Sequence, residues 1–277
     1  MSSDFENYKT LREKYEDMKK GEEYNATKIY DELEKMSDEL LYKHAEELAK
    51  LYIESKKEFE SFYSKDSFLP DDLSKRRNPD DDKIITYLIN KKNIMISNDE
   101  SLNFNYIERE ISPNRITNSG QRQSGTGGID FIGWNIKKEC PIIGEIKKIS
   151  DKDPYYALIQ LLTYSSEMFT SNQIKRINET GLFKIGSEIK TINSKSKPYL
   201  YILFFDFHWK SENMNRISKK ILILKKCMHN AKDLLKILKD EFEDIVFLSA
   251  VTENDDNKKI NIEKIMPDSL LFSDIKN

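Results

Sequence analysis

The sequence predicts an α/β fold, because helical and strand-like patterns alternate through most of the 277 residues. The predicted order is a helix from Pro79, strands at 104–111, 129–136 and 141–149, a helix at 153–168 and a strand at 199–205. A further helix at 217–238 and a strand at 245–251 follow. This order predicts a mixed sheet flanked by helices.

Each of these elements has a local signal. Pro79 and the acids at 80–82 are typical of a helix N-terminus, where free N–H groups favour negative charge. Asp153 and Pro154 repeat that signal for the next helix. The run 199–205 is apolar throughout, which predicts a central, buried strand.

The first 70 residues are predicted to form a separate helical hairpin or arm. Apolar side chains recur every three or four positions on both sides of a break at Gly21, which is the pattern of two amphipathic helices. A polar linker follows at 70–78, so the predicted domains are 1–70 and 79–277. We expect the N-terminal helices to mediate self-association or to bind a protein partner.

Composition and charge exclude several classes of protein. No apolar run reaches the roughly 18 residues of a membrane helix, and the two cysteines make no disulfide framework or zinc cluster. We therefore expect a cytoplasmic protein without membrane contact. The net charge is −8 through Asp82 and +5 beyond it, which fits an acidic interaction segment attached to a phosphate-binding body.

Two acidic residues interrupt neighbouring apolar runs. Asp130 lies in the run 127–134, and Glu145 lies in the run 141–147. A buried carboxylate is costly unless another group compensates its charge, so two of them close together indicate a site. The polar segment 135–140 has the length of a hairpin connection, which would bring the two strands side by side.

The residues after Asp130 and Glu145 complete a possible reaction site. Alternation along a strand gives Glu145 and Lys147 a common face. The two carboxylates, with the backbone carbonyl of Ile146, supply the hard oxygen ligands that suit Mg²⁺ or Mn²⁺. The lysine can hold an attacking water or offset phosphate charge, as phosphodiester hydrolysis requires. A second Glu-Ile-Lys, at 188–190, follows no acid-bearing apolar strand and is predicted to be structural or exposed.

These residues resemble a known family of nucleases, the PD-(D/E)xK superfamily. The resemblance consists of Gly-Gly-Ile-Asp at 127–130, Gly-Glu-Ile-Lys at 144–147, and a following helix with Gln160 and Tyr164. It is strongest to the branch with a Gln-x-x-x-Tyr helix, which includes RecB-type nucleases and several phage-defence nucleases. The resemblance implies a restriction-endonuclease-like core.

The resemblance also implies a role for each matching residue. Asp130 and Glu145 would be the metal ligands, and Lys147 would be the catalytic lysine. Gln160 and Tyr164, one helical turn apart on one face, would line the site near the DNA backbone.

Many members of the superfamily supply a further acid from the helix before the strands. Here that helix has acids only in its first turn, at 80–82, where they favour the helix dipole. Glu108 on the first strand is the first candidate for a further metal ligand. Glu110 beside it, and Glu58 and Glu60 on the long N-terminal helix, are the remaining candidates.

The leading hypothesis is a Mg²⁺- or Mn²⁺-dependent deoxyribonuclease of a restriction or anti-phage system, with RNA as an alternative substrate. The second hypothesis is a nuclease-like module that binds nucleic acid or protein without cutting. The presence of Asp130, Glu145 and Lys147 together favours cutting. A third hypothesis places the function in the acidic helical arm.

Overall fold

A mixed sheet of seven strands lies at the centre of the computed structural model, which describes residues 11, 13, 38–61, 79–113, 128–148, 154–206, 211–230, 232–252 and 260–265. The strands, in chain order, are β1 Asn93–Ile94, β2 Phe104–Ile111, β3 Ile129–Asn135, β4 Cys140–Lys148, β5 Lys184–Ile185, β6 Glu188–Ile189, β7 Tyr199–Asp206, β8 Asp244–Thr252 and β9 Ile260–Lys264. The sheet order is β1-β2-β3-β4-β7-β8-β9, and β5 pairs with β6 in a separate hairpin. β4, β7 and β8 are parallel neighbours, and the other pairs are antiparallel.

Helices flank this sheet, which confirms the predicted α/β class. They are α1 Asp38–Glu60, α2 Pro79–Lys91, α3 Pro154–Met168, α4 Ser171–Thr180, α5 Ser211–Asn230 and α6 Lys232–Glu241, with a short 3-10 turn at Glu100–Leu102. The order α2, β2 to β4, α3, β7 is the predicted one. The predicted helix 217–238 is two helices, α5 and α6. The apolar periodicity continues through both, so it gave no sign of the break.

The two faces of the sheet bury separate apolar clusters. On one face, Ile143 and Ile202 pack with α1, α3, α5 and α6. On the other face, Phe131 and Tyr201 pack with α2. Side chains alternate between the faces along a strand. Glu145, two positions after Ile143, therefore belongs to the face that the four helices cover.

The sheet curls so that its two ends meet. Ile96, just after β1, forms a parallel bridge with Ile262 of β9. The Ser97 N–H donates a hydrogen bond of 2.9 Å to the carbonyl of Ile262. Lys264 and Asp99 add an ion pair of 3.2 Å. These contacts tie β9 to the β1 end of the sheet.

Helix α1 packs into the core that covers the Glu145 face. Leu48 and Tyr52 are buried in it. The hydroxyl groups of Tyr52 and Ser165 lie 3.3 Å apart, which joins α1 to α3. Lys56 forms an ion pair with Glu241 of α6. Apolar and polar contacts together therefore attach α1 to the body of the protein.

The predicted domain boundary at 70–78 falls outside the described residues. The division into 1–70 and 79–277, and the association role of the N-terminal helices, stay predictions. Of the predicted first helix, Leu11 and Glu13 are described, and Leu11 is buried in the same core as α1. No helix in the described ranges is both long and apolar enough to span a membrane.

Candidate functional site

The β3–β4 hairpin places Asp130 next to Glu145. Phe131 pairs with Gly144 in antiparallel register, and the next position along the two strands sets Asp130 opposite Glu145. Oδ2 of Asp130 accepts a hydrogen bond of 2.7 Å from the Ile146 N–H. The two acids identified in the sequence therefore lie side by side on adjacent strands.

Glu145 is buried, with 2% of its side chain exposed. Oε1 accepts a hydrogen bond of 2.6 Å from Nζ of Lys147, whereas Oε2 is buried and has no hydrogen-bond partner among the described residues. Burial raises the pKa of Glu145 and the charge of Glu110 adds to that rise, whereas the Lys147 ammonium and a side-chain hydrogen bond with Asp130 oppose it. A buried carboxylate oxygen without a donor is unfavourable, so the site fits a further positive charge.

Lys147 lies between a carboxylate and an aromatic ring. Its ammonium group is 5.3 Å from the centre of the Tyr156 ring, which is within cation–π range. Tyr156 belongs to the first turn of α3. The ion pair with Glu145 and the contact with Tyr156 together restrict where the ammonium group can lie. Tyr156 carried no signal in the sequence beyond its place at a predicted helix start.

The second Glu-Ile-Lys provides a comparison within the same chain. Nζ of Lys190 also lies 2.6 Å from Oε1 of Glu188, but the Glu188 side chain is 65% exposed. The pair belongs to the small β5–β6 hairpin and not to the seven-stranded sheet. The same tripeptide therefore forms a solvated ion pair at 188–190 and a buried one at 145–147. The upstream strand with Asp130 is what distinguishes the two sequences.

Gln160 and Tyr164 lie one turn apart on α3. Both are buried, with 6% and 1% of the residue exposed. Helix α3 contacts β4 on the face of the sheet that carries Ile143 and Glu145. The structure therefore places both residues on the helix that covers the candidate site. Tyr164 is a member of the apolar core there.

Glu108 does not lie opposite Asp130. It pairs with Ile132, and its Oε1 accepts a hydrogen bond of 2.9 Å from the Arg109 N–H. The register of β2 and β3 instead sets Glu110 opposite Asp130. The sequence could not reveal this, because a bulge after Tyr106 shifts the register by one residue.

The two glutamates on α1 that could supply a further acid have different surroundings. The carboxylate of Glu60 accepts hydrogen bonds of 3.1 and 3.2 Å from the Ser171 N–H, at the start of α4. Glu58 is exposed near the end of α1. At 80–82, in the first turn of α2, the structure describes the backbone but not the side chains.

The residues present fit a cation held by two carboxylates. Within the described ranges, no three His, Cys, Asp or Glu side chains gather closely enough to form a metal-binding group. Asp130 and Glu145 do lie together, and Oε2 of Glu145 is a buried oxygen without a donor. Mg²⁺ is commonly bound by one or two carboxylates, with water and substrate phosphate completing its shell. The donor set therefore suits Mg²⁺ or Mn²⁺ better than a softer metal.

A scan against protein-family models, a search of the curated proteins and a search of the solved structures find no match to this chain.

Proposed function

We propose that the chain is a metal-dependent nuclease with a restriction-endonuclease-like core, in which Asp130 and Glu145 hold Mg²⁺ or Mn²⁺. The observation that supports this most is the state of Glu145, which is buried on a central strand with Oε2 lacking a hydrogen-bond partner among the described residues. The nearby ammonium of Lys147 donates to Oε1. A divalent cation beside Asp130 would supply the positive charge that is missing next to Oε2.

The proposal divides the tasks of the site between a cation-binding group and the lysine beside it. Asp130 and Glu145, with the backbone carbonyl of Ile146, bind the cation. Lys147 offsets negative charge on the phosphate or orients the attacking water, and the Tyr156 ring limits the motion of its ammonium group. When bound, a divalent cation supplies Lewis-acid polarisation of a phosphate oxygen.

Gln160 and Tyr164 are proposed to act from α3. Gln160 keeps a small exposed fraction, whereas Tyr164 is almost fully enclosed. We therefore propose a contact with the nucleic-acid backbone for Gln160 and a supporting position beneath the site for Tyr164. DNA is the proposed substrate, in keeping with restriction or anti-phage nucleases, and RNA is the alternative.

The direct test is a cleavage assay on the 277-residue chain. Supercoiled plasmid, linear duplex DNA and single-stranded RNA are each incubated with protein in Mg²⁺, in Mn²⁺ and in EDTA. We expect DNA cleavage that requires the cation and stops in EDTA. Binding of DNA without cleavage in either cation would contradict the nuclease and favour the binding module.

Without cation, Glu145→Gln is expected to stabilise the protein. The neutral amide removes the cost of a buried carboxylate, and its oxygen can still accept from Lys147. A stabilisation of the order of 1 kcal/mol would raise the unfolding temperature by roughly 2–4 °C. Thermal unfolding in EDTA measures this, and Glu188→Gln, at the exposed site, should leave the temperature unchanged. A lower unfolding temperature for Glu145→Gln would show that Glu145 serves the fold and not a cation.

A further inference from the structure

Helix α5 carries a run of positive charge that has no part in the candidate cation site. From 213 to 232 the sequence has no aspartate or glutamate, although acids outnumber bases in the whole chain, by 48 to 45. The lysines and arginines of this run are Arg216, Lys219, Lys220, Lys225, Lys226 and Lys232. A helical surface with charges of one sign is the electrostatic feature that attracts a polyanion.

Three of these cations form a row on the outer face of α5. Arg216, Lys219 and Lys226 are exposed, and their spacings of three and seven residues place them on one side of the helix. At a rise of about 1.5 Å per residue, they extend over about 15 Å of the helix axis. Duplex DNA carries about one charge per 1.7 Å of its axis, so the same length of duplex presents about nine phosphate charges. We call these three residues the basic row.

Helix α5 begins near the edge of the sheet that carries the candidate site. β4 and β7 are parallel, and Lys148 at the end of β4 pairs with Phe205 near the end of β7. β7 ends at Asp206 and α5 begins at Ser211, so the chain between them spans at most about 18 Å. α5 also packs against α3, the helix that covers the Glu145 face. A nucleic acid on the basic row can therefore extend to the candidate site.

A duplex fits this surface better than a membrane or a single strand does. A basic amphipathic helix binds a membrane by inserting its apolar face, but the apolar face of α5, with Ile217 and Ile221, is buried in the core. Leu222 is left as the exposed large apolar side chain on the described part of α5. Single strands are held largely by bases that stack on aromatic rings, and α5 contains no Phe, Tyr or Trp. Contacts from lysine and arginine to the phosphates of a duplex need neither feature.

We propose that the outer face of α5, with Arg216, Lys219 and Lys226, binds the phosphate backbone of duplex DNA and holds the duplex at the candidate site. This inference rests on the proposed function, because it concerns the substrate of the same site. Contacts to phosphates carry no information about base sequence, so binding through this face is independent of sequence. It is also dependent on salt, because each contact releases counterions from the DNA.

Binding of a fluorescent duplex in EDTA tests this surface without cleavage. The 277-residue chain is titrated into two duplexes of unrelated sequence at several KCl concentrations, and fluorescence anisotropy gives the dissociation constant. The triple variant Arg216→Gln, Lys219→Gln, Lys226→Gln is expected to bind both duplexes about tenfold more weakly or worse. Its plot of log affinity against log salt should be shallower by about two to three units, because each phosphate contact contributes about 0.9.

Two control variants separate the position of the charges from their number and from the fold. Changing Lys91, Lys137 and Lys195 to Gln removes three exposed lysines from other parts of the surface. Because those charges are distant and screened, this variant should bind within about twofold of the unmodified chain. Exchanging lysine for arginine, and arginine for lysine, at the three positions of the basic row keeps its charge and should keep the salt dependence. Thermal unfolding of each variant checks that the fold is intact.

The outcomes distinguish this inference from the nuclease proposal. An unchanged dissociation constant in the triple variant, with DNA cleavage by the unmodified chain, would overturn the role of α5 and leave the nuclease intact. Duplex binding that depends on the basic row, in a chain that cleaves no nucleic acid in Mg²⁺ or Mn²⁺, would support the role of α5 and overturn the nuclease. Equal weakening by both sets of Gln substitutions would overturn the assignment to α5, since total charge alone would then decide the affinity. Binding to phosphatidylserine vesicles but not to duplex DNA would overturn it in favour of a membrane.

Discussion

Asp130→Asn and Glu145→Gln are expected to remove divalent-cation binding and DNA cleavage together. Each substitution keeps the size of the side chain and removes the negative charge that would hold the cation. Loss of one group that acts in the transition state commonly costs a factor of about 100 or more in rate. Loss of the cation removes a larger contribution, so we expect no measurable single-turnover cleavage from either variant.

Lys147→Ala should separate catalysis from cation binding. The single-turnover rate should fall by about 100-fold or more, because the ammonium that would face the phosphate in the proposed reaction is gone. The cation should bind at least as tightly as before, since Oε1 of Glu145 loses its positive partner. Opposite effects on rate and on affinity would assign Lys147 to the reaction. Loss of both the rate and the cation affinity would show that Lys147 maintains the structure of the site.

The second Glu-Ile-Lys gives the matched controls for this series. Glu188→Gln and Lys190→Ala change the same residue types in the same tripeptide, in an ion pair of the same length that is exposed to solvent. Exposed pairs contribute little to stability, so both variants should cleave within about threefold of the unmodified chain. Strong activity in Glu145→Gln beside an inactive Glu188→Gln would move the site to the β5–β6 hairpin.

The same assay also tests the α3 residues. Gln160→Ala should cleave more slowly while keeping the cation-dependent rise in unfolding temperature, because Gln160 would contact the substrate and not the cation. If the rate is unchanged, the Gln-x-x-x-Tyr resemblance has no functional meaning in this chain.

The central part of the fold could be predicted from the sequence because its signals are local. The acids at Asp130 and Glu145 are conspicuous in apolar runs, and the short polar segment between those runs fixes an antiparallel hairpin. The pairing of these two strands then sets their register. The adjacent positions of the two carboxylates could therefore be predicted without knowledge of the tertiary structure. The parallel strand β7 was likewise marked by its uninterrupted apolar run.

The remaining features depend on contacts between distant segments. The position of Glu110 follows from a bulge in β2, which leaves no clear trace in the alternation of residues. Glu145 is buried and Glu188 is exposed, although both begin the same tripeptide, Glu-Ile-Lys. The difference comes from the packing around each tripeptide. The attachment of α1 to α3 through Tyr52 could not be predicted from the sequence either. An amphipathic helix has the same periodicity whether it packs on its own domain or on another chain.

Gly144→Ala is expected to be the most destabilising small substitution in the site. A Cβ at this position would lie 2.0 Å from Cζ of Phe131, its cross-strand partner. The Phe131 ring is fully buried and stacks on Phe104 at 5.7 Å between ring centres, so it cannot move aside freely. Overpacking of a core typically costs about 1–3 kcal/mol, and this contact belongs at the upper end. We expect the unfolding temperature to fall by roughly 6–12 °C.

The loss in Gly144→Ala should be coupled to Phe131. Phe131→Leu alone leaves a cavity and destabilises the protein, but in the double variant the smaller side chain makes room for the new methyl group. Chemical denaturation of the four proteins should therefore give a coupling free energy of about 1–2 kcal/mol in favour of the double variant. Gly186→Ala is the control: its φ of 61° is strained for alanine, but a Cβ there meets no atom within 4 Å, so no coupling to Phe131 should appear.

Because Phe131 follows Asp130 and Gly144 precedes Glu145, the double variant should also recover part of the cation affinity that Gly144→Ala loses. Additive effects of the two substitutions would show that the ring and the glycine are not in contact, and that the spacing of the two carboxylates is set elsewhere.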